Sequence, residues 1–174
     1  MESKRASDLM IPLSDYPHMP YWFTLRQAMA TLRSSRIEVD GKASLPRAVL
    51  VFNEAYELLG VVRRRDILRG LEPQFLEQKR QSYPRKLFEV KADPDLFELG
   101  NGKVAGRIKE RAERPVGDVM RPIKVTLQHD DHLMKIIYEM VENNLSMLPV
   151  LRDGSVVGVV RSVDVLDEVS KLVL

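Results

Sequence analysis

The chain of 174 residues contains no cysteine, which excludes disulfides, thiolate metal sites and a cysteine nucleophile. A reducing, cytoplasmic location is the expectation that goes with it. No large excess of either charge is present. Lys and Arg total 27 against 25 Asp and Glu, a formal +2, which is too balanced for a dedicated nucleic-acid binder. Basic clusters at Lys79-Arg80 and Arg85-Lys86 are local exceptions. No apolar run approaches the ~20 residues that a membrane span needs. The opening Met1-Glu2-Ser3-Lys4-Arg5 has no apolar centre for a signal peptide. His18, His129 and His132 come without a nucleophile or an orienting acid, and no carboxylate pair sits between strand ends. An enzyme is not expected. With 44% hydrophobic and 30% charged residues, the chain has the composition of one compact domain, or of two small ones sharing an interface.

What is present is a repeat. The stretch Gly158-Val159-Val160-Arg161-Ser162-Val163-Asp164 has a near twin in Gly60-Val61-Val62-Arg63-Arg64-Arg65-Asp66. An apolar run leads into each (Leu58-Leu59, Val156-Val157), and a helix-like apolar run follows each (Ile67-Leu68, Val165-Leu166). The pattern predicts a strand, then a polar turn, then an amphipathic helix with an aspartate in its first turn. Its occurrence twice makes the chain a tandem repeat.

Both copies are headed by Asp-x-Met-x-Pro, at Asp8 to Pro12 and at Asp118 to Pro122. Asp8 and Asp118 are expected to cap one helical turn, which the proline ends. Ile123 to Leu127 alternates like a half-buried strand, and Leu13 to Tyr16 is its expected counterpart. A helix follows in each copy. Thr24 and Gln27 fit a capping box ahead of Leu25, Ala28, Met29 and Leu32. Leu133, Ile136, Ile137 and Met140 repeat that face, with Asp130 or Asp131 as cap. The first copy then carries an insertion over 33–46, a surface loop with its turn at Asp40-Gly41, while the second turns quickly through Glu142 to Ser146. Two strands close each copy: Ala48–Phe52 and Leu58–Val62, then Met147–Leu151 and Val156–Val160 around Arg152-Asp153-Gly154-Ser155. Residues 1–72 and 115–174 are thus one repeat each. Residues 73–114 form a charged linker with one or two short helices and a turn near Gly100.

This order of elements resembles a tandem pair of cystathionine-β-synthase (CBS) domains, also called a Bateman module. The carriers are the Asp-x-Met-x-Pro heads, the amphipathic helices, Leu148-Pro149-Val150 and the two Gly-h-h-x-x-x-Asp segments, where h is hydrophobic. The resemblance implies an α+β fold of two strand-helix-strand-strand-helix repeats packed about a pseudo-two-fold axis. It implies two clefts for adenosine-containing ligands, namely AMP, ADP, ATP or, with less weight here, S-adenosylmethionine. It also implies a homodimer. With no other domain in the sequence, the output is expected to pass to a separate effector protein.

The family places Ser or Thr at the fourth motif position, where this chain has Arg63 and Arg161. The family aspartate falls on Asp66 and Asp164, whose carboxylates can accept both hydroxyls of a ribose. Cations at a helix start are unfavourable unless an anion joins them, so Arg63, Arg64, Arg65 and Arg161 are phosphate candidates, with Arg47 beside them. The adenine slot is expected around Ser146, Met147 and Pro149, with Lys124 and Val125 on the preceding strand. His129-Asp130-Asp131-His132 opens a helix, where consecutive side chains diverge, so no metal site is expected there. The competing expectation is an interaction scaffold of the same fold. Clefts plugged by arginines paired with neighbouring acids would favour it.

Overall fold

The computed structural model describes residues 4–72 and 103–174. The apolar positions Phe75 to Phe97, the turn expected near Gly100 and the two basic clusters of the linker lie outside them. The first half runs α1 (Ala6–Leu9), β1 (Ile11–Pro12), a 3-10 turn at Leu13–Asp15, β2 (His18–Pro20), α2 (Leu25–Ser34), β3 (Ile37–Val39), β4 (Lys42–Ser44), β5 (Ala48–Phe52), β6 (Leu58–Arg63) and α3 (Arg64–Leu71). The second runs α4 (Lys103–Arg111), a 3-10 turn at Val116–Asp118, β7 (Arg121–Pro122), β8 (Leu127–Gln128), α5 (Leu133–Glu142), β9 (Met147–Arg152), β10 (Ser155–Arg161) and α6 (Ser162–Val173). The order strand-helix-strand-strand-helix is met twice, as β2-α2-β5-β6-α3 and as β8-α5-β9-β10-α6.

Each repeat forms a sheet whose outermost strand comes from the other. The sheets run β2-β5-β6-β7 and β1-β10-β9-β8. The Asp-x-Met-x-Pro heads therefore precede one repeat and pack on the opposite one. The two exchanges match in register: Pro122 lies opposite Gly60, and Pro12 opposite Gly158. A Cβ on either glycine would stand 2.5 Å from a carbonyl oxygen, that of Arg121 or of Ile11. The glycine that opens each motif is there because the exchanged strand passes too close for any side chain.

The helix starts repeat the symmetry. The Leu25 N–H donates to the Arg114 carbonyl and the Leu133 N–H to that of Lys4. Val116 donates to Phe23 and Ala6 to Asp131; Gly117 donates to Tyr21 and Ser7 to His129. These bonds satisfy backbone groups that a helix start leaves unpaired, and they define a pseudo-two-fold arrangement.

The core has three parts. Leu25, Ala28, Leu32, Val49, Val51, Val62 and Ile67 of the first repeat are joined by Val116 and Val119 from the second head. Leu127, Leu133, Ile136, Met140, Leu148, Val150, Val160 and Val165 are joined by Ala6 from the first. Between the sheets lies a shared layer of Ile11, Tyr16, Ile37, Leu50, Phe52 and Val159. The Tyr16 hydroxyl spans that layer, donating to the Ala48 carbonyl at 3.0 Å with Met147 Sδ also at 3.0 Å. Burial raises its pKa to about 12, an effect partly offset by the positive charge of Arg161.

Several local expectations are corrected. Leu13 to Tyr16 is not a strand, since Leu13–Asp15 is a 3-10 turn between β1 and β2. The alternation of Ile123 to Leu127 is kept only in part as burial, since Lys124 is exposed but Thr126 is half-buried like Val125, and only Leu127–Gln128 finds a ladder partner, in β9. Alternation reports which way a side chain faces, not whether a neighbour strand exists. Asp8 lies inside α1, its carboxylate accepting the Arg5 backbone N–H at 2.8 Å, and Asp118 is the last residue of its 3-10 turn. At α5 the N-cap position is His132, while the Asp131 carboxylate accepts the Gln128 backbone N–H. The Thr24–Gln27 capping box forms as expected.

The 33–46 insertion is a hairpin rather than a plain loop. Asp40 and Gly41 both take positive φ (50° and 75°), as do Asp153 and Gly154 (50° and 79°) between β9 and β10. That is the type I′ geometry of a two-residue hairpin turn. Of the expected linker helices, α4 lies in the described part. Arg111 Nε and Arg114 Nη1 behind it donate to the Gly70 carbonyl at the end of α3.

Candidate ligand-binding clefts

Asp66 enters the first turn of α3 directly after β6, and none of its surface is exposed. Its Oδ2 accepts from the Arg63 backbone N–H and from Arg63 Nε, both at 3.0 Å. Its Oδ1 accepts from Arg121 Nε at 2.9 Å and from Arg69 Nη2 at 3.1 Å. Burial alone would raise its pKa; the hydrogen bonds from Arg63 and Arg121 outweigh that and bring it down to about 2. Three guanidiniums thus converge on one carboxylate whose lone pairs are all committed. Arg64 turns to the Pro46 carbonyl at 3.3 Å. Arg47 and Arg65 are exposed, and their side chains make no hydrogen bond or ion pair among the described residues.

Asp164 holds the same place at the start of α6. Its two oxygens take the Arg161 fork, from Nε at 2.7 Å and from Nη2 at 2.8 Å. The side chains of this pair are 13% and 11% exposed. Arg161 Nη1 donates to Ser44 Oγ at 2.8 Å, so every nitrogen of that guanidinium has a partner. Ser44 lies on β4, in the first-repeat hairpin.

The equivalent positions explain the contrast. Arg121 of the second head lies opposite Val61, whereas Ile11 of the first head lies opposite Val159. Three residues past each aspartate stand Arg69 and Asp167. Asp167 is engaged by Lys42 at 3.2 Å and by Lys171 at 3.1 Å. Hydrogen bonds from Lys171 and then Lys42 hold its carboxyl below the usual range. Asp164 therefore keeps a single cation.

The adenine-slot candidates divide. Met147 pairs with Arg161 across β9 and β10, and Pro149 is buried in the same ladder opposite Val159. Ser146 is exposed, and its carbonyl accepts the Ser162 N–H at 2.8 Å. Ser146 and Ser162 line an open depression with Met140, Val141, Asn144 and Leu145. Val125 packs against the second-repeat core, and Lys124 is exposed without a side-chain partner among the described residues. Sequence reasoning missed Arg69, Arg121, Ser44 and Asp167. Only a position-by-position alignment of the two copies signals the first two and the last, and Ser44 has no counterpart to align.

Comparison with known proteins gives a domain match over one repeat and a fold for the whole. Residues 116–171 match the CBS domain family. An uncharacterized protein of Methanocaldococcus jannaschii is 35% identical over 63 residues, which cover 34% of this chain and 29% of that protein. Among solved structures, the cytosolic domain of the Mg2+ channel MgtE in complex with ATP is 21% identical with a TM-score of 0.60. That match covers 96% of this chain and 49% of the other. CBSX2 in complex with AMP is 17% identical with a TM-score of 0.61 and is covered to 98% on both sides. The chain spans about half or less of the first two. Residues 116–171 match the CBS domain model, and the whole has the fold of a tandem CBS pair.

Proposed function

Taking the chain as a tandem pair of CBS-type repeats, we propose that it is a regulatory protein that senses an adenine nucleotide at the Asp164 crevice and signals to a separate effector protein. The observation that carries this reading is the partly exposed Arg161–Asp164 pair. A carboxylate that can receive a ribose diol and a guanidinium that can receive phosphate stand side by side at the start of α6. Two proteins of this fold have been crystallised with ATP and with AMP. AMP, ADP and ATP are the ligands of choice, and S-adenosylmethionine, which lacks phosphate, is the weaker candidate. Asp66 we assign to structure, since a ribose there would have to displace three guanidiniums from a buried acid.

Self-association fits the exposed apolar residues of the second repeat. Met134, Tyr138 and Val141 of α5 and Val163 and Leu166 of α6 are all more than half exposed. The matching first-repeat positions on α2 include Arg26 and Arg33, and Arg26 is ion-paired to Glu113. An apolar face of this kind, among the described residues, suits an isologous homodimer.

Isothermal titration of AMP, ADP, ATP and S-adenosylmethionine tests the sensing role. Nucleotide heat that disappears in Asp164→Ala and survives in Asp66→Asn is expected. Absence of heat with all four ligands would leave a second reading, an interaction scaffold. Its support is that both motif aspartates are already engaged by arginines.

A further inference from the structure

The hairpin of β3 and β4 belongs to the first repeat but ends on the second. Its base is fixed by apolar packing: Ile37 is 1% exposed and Val39 packs against the layer between the sheets. Its far side is tied to the end of β10 and to α6 by polar contacts. Lys42 Nζ meets Asp167 at 3.2 Å, Lys171 Nζ meets Asp40 at 3.5 Å, and Ser44 accepts from Arg161. Lys42 and Asp40 are 79% and 73% exposed at their side chains, so solvent and salt screen both ion pairs. The element is firmly rooted at its base and weakly fastened at its tip.

We propose that this hairpin is a ligand-responsive latch on the Asp164 crevice, held shut by the chain Asp164–Arg161–Ser44 and by its two ion pairs to α6. The inference rests on the nucleotide reading above and names how that site is regulated. A ribose needs the Asp164 oxygens that Arg161 occupies, and a phosphate needs the Arg161 donors that Asp164 and Ser44 occupy. Either way the guanidinium must turn, and Ser44 loses its bond to the second repeat and keeps its donation to the Ile37 carbonyl at 3.4 Å within its own hairpin. What then holds the tip is two exposed ion pairs, so occupancy of the crevice loosens residues 40–44. By linkage the closed latch lowers apparent affinity by the fraction of molecules that are open, and weakening the latch raises it.

The test is hydrogen exchange of the full chain and of the Asp167→Ala/Lys171→Ala double variant, with and without ATP, alongside titration of ATP and of AMP into both. Neither residue belongs to the proposed ligand contacts. Without nucleotide, the amides of residues 37–44 are expected to exchange faster in the variant than in the natural chain. Adding ATP should speed the same amides in the natural chain, and the variant should bind ATP at least about threefold more tightly. The latch alone is overturned if ATP binds while these amides are unchanged or slowed, or if the loosened variant binds no more tightly. If neither form binds ATP or AMP, the nucleotide reading fails and the latch fails with it.

Discussion

Asp66 and Asp164 occupy the same place in two copies of one motif, yet their surroundings differ in kind. The first is sealed among Arg63, Arg69 and Arg121, with cations in excess of the acid. The second has Arg161 alone, because Ile11 stands where Arg121 would be and Asp167 where Arg69 would be. The motif does not settle which aspartate is free to work. The decisive neighbours include residues delivered by the other half, Arg121 on an exchanged strand and Ser44 on a hairpin that crosses over.

The contrast breaks most visibly by deleting each acid. Asp66→Ala removes the buried acceptor shared by the Arg63 backbone N–H and three guanidiniums, whose half-exposed ends rehydrate, and is expected to cost about 2–4 kcal/mol in urea unfolding. Asp164→Ala leaves one guanidinium that still has Ser44 and reachable water, and about 1–2 kcal/mol is expected. Equal losses would mean that both acids serve structure alike.

Where the repeats are alike, equal effects are expected instead. Gly60→Ala and Gly158→Ala each press a methyl against a carbonyl oxygen of the exchanged strand. Each should lose about 1–3 kcal/mol, read as matched drops in melting temperature. A loss confined to one glycine would show that one exchange is slack.

Acid sharpens the comparison further. The folded pKa of Asp66, about 2, lies below the ordinary 3.8. Its stabilising contribution is complete above pH 4 and fades as the pH falls toward 2. After discounting for the exposed ends of its partners, it amounts to about 1–2 kcal/mol. Acid unfolding of the natural chain should be steeper between pH 4 and 2 than that of Asp66→Asn, and parallel curves would remove the Arg63–Asp66–Arg121 account.

Much of this architecture is legible in the sequence because periodicity and capping are local. Leu25, Ala28 and Leu32 declare their helix face, Thr24 and Gln27 its start, and the twin glycine-valine-valine segments the repeat. Pairing is not local. Nothing near Asp8 or Met120 says that each head crosses to the opposite sheet, and the signal in Gly60 and Gly158 becomes readable only once the neighbour is known. The same holds for the clefts. Arg63 and Arg161 stand beside their acids in the sequence, whereas Arg121 is remote from Asp66 and Ser44 remote from Arg161.

The crossing of the heads bears on how such a chain can come apart. Each half wears a cap cut from its sibling's cloth: Val116 and Val119 finish one core and Ala6 the other. A fragment carrying either half by itself would show a bare flank where the borrowed turn belongs. The pair is thus less two beads on a string than a clasp, and its parts gain or lose their shape together.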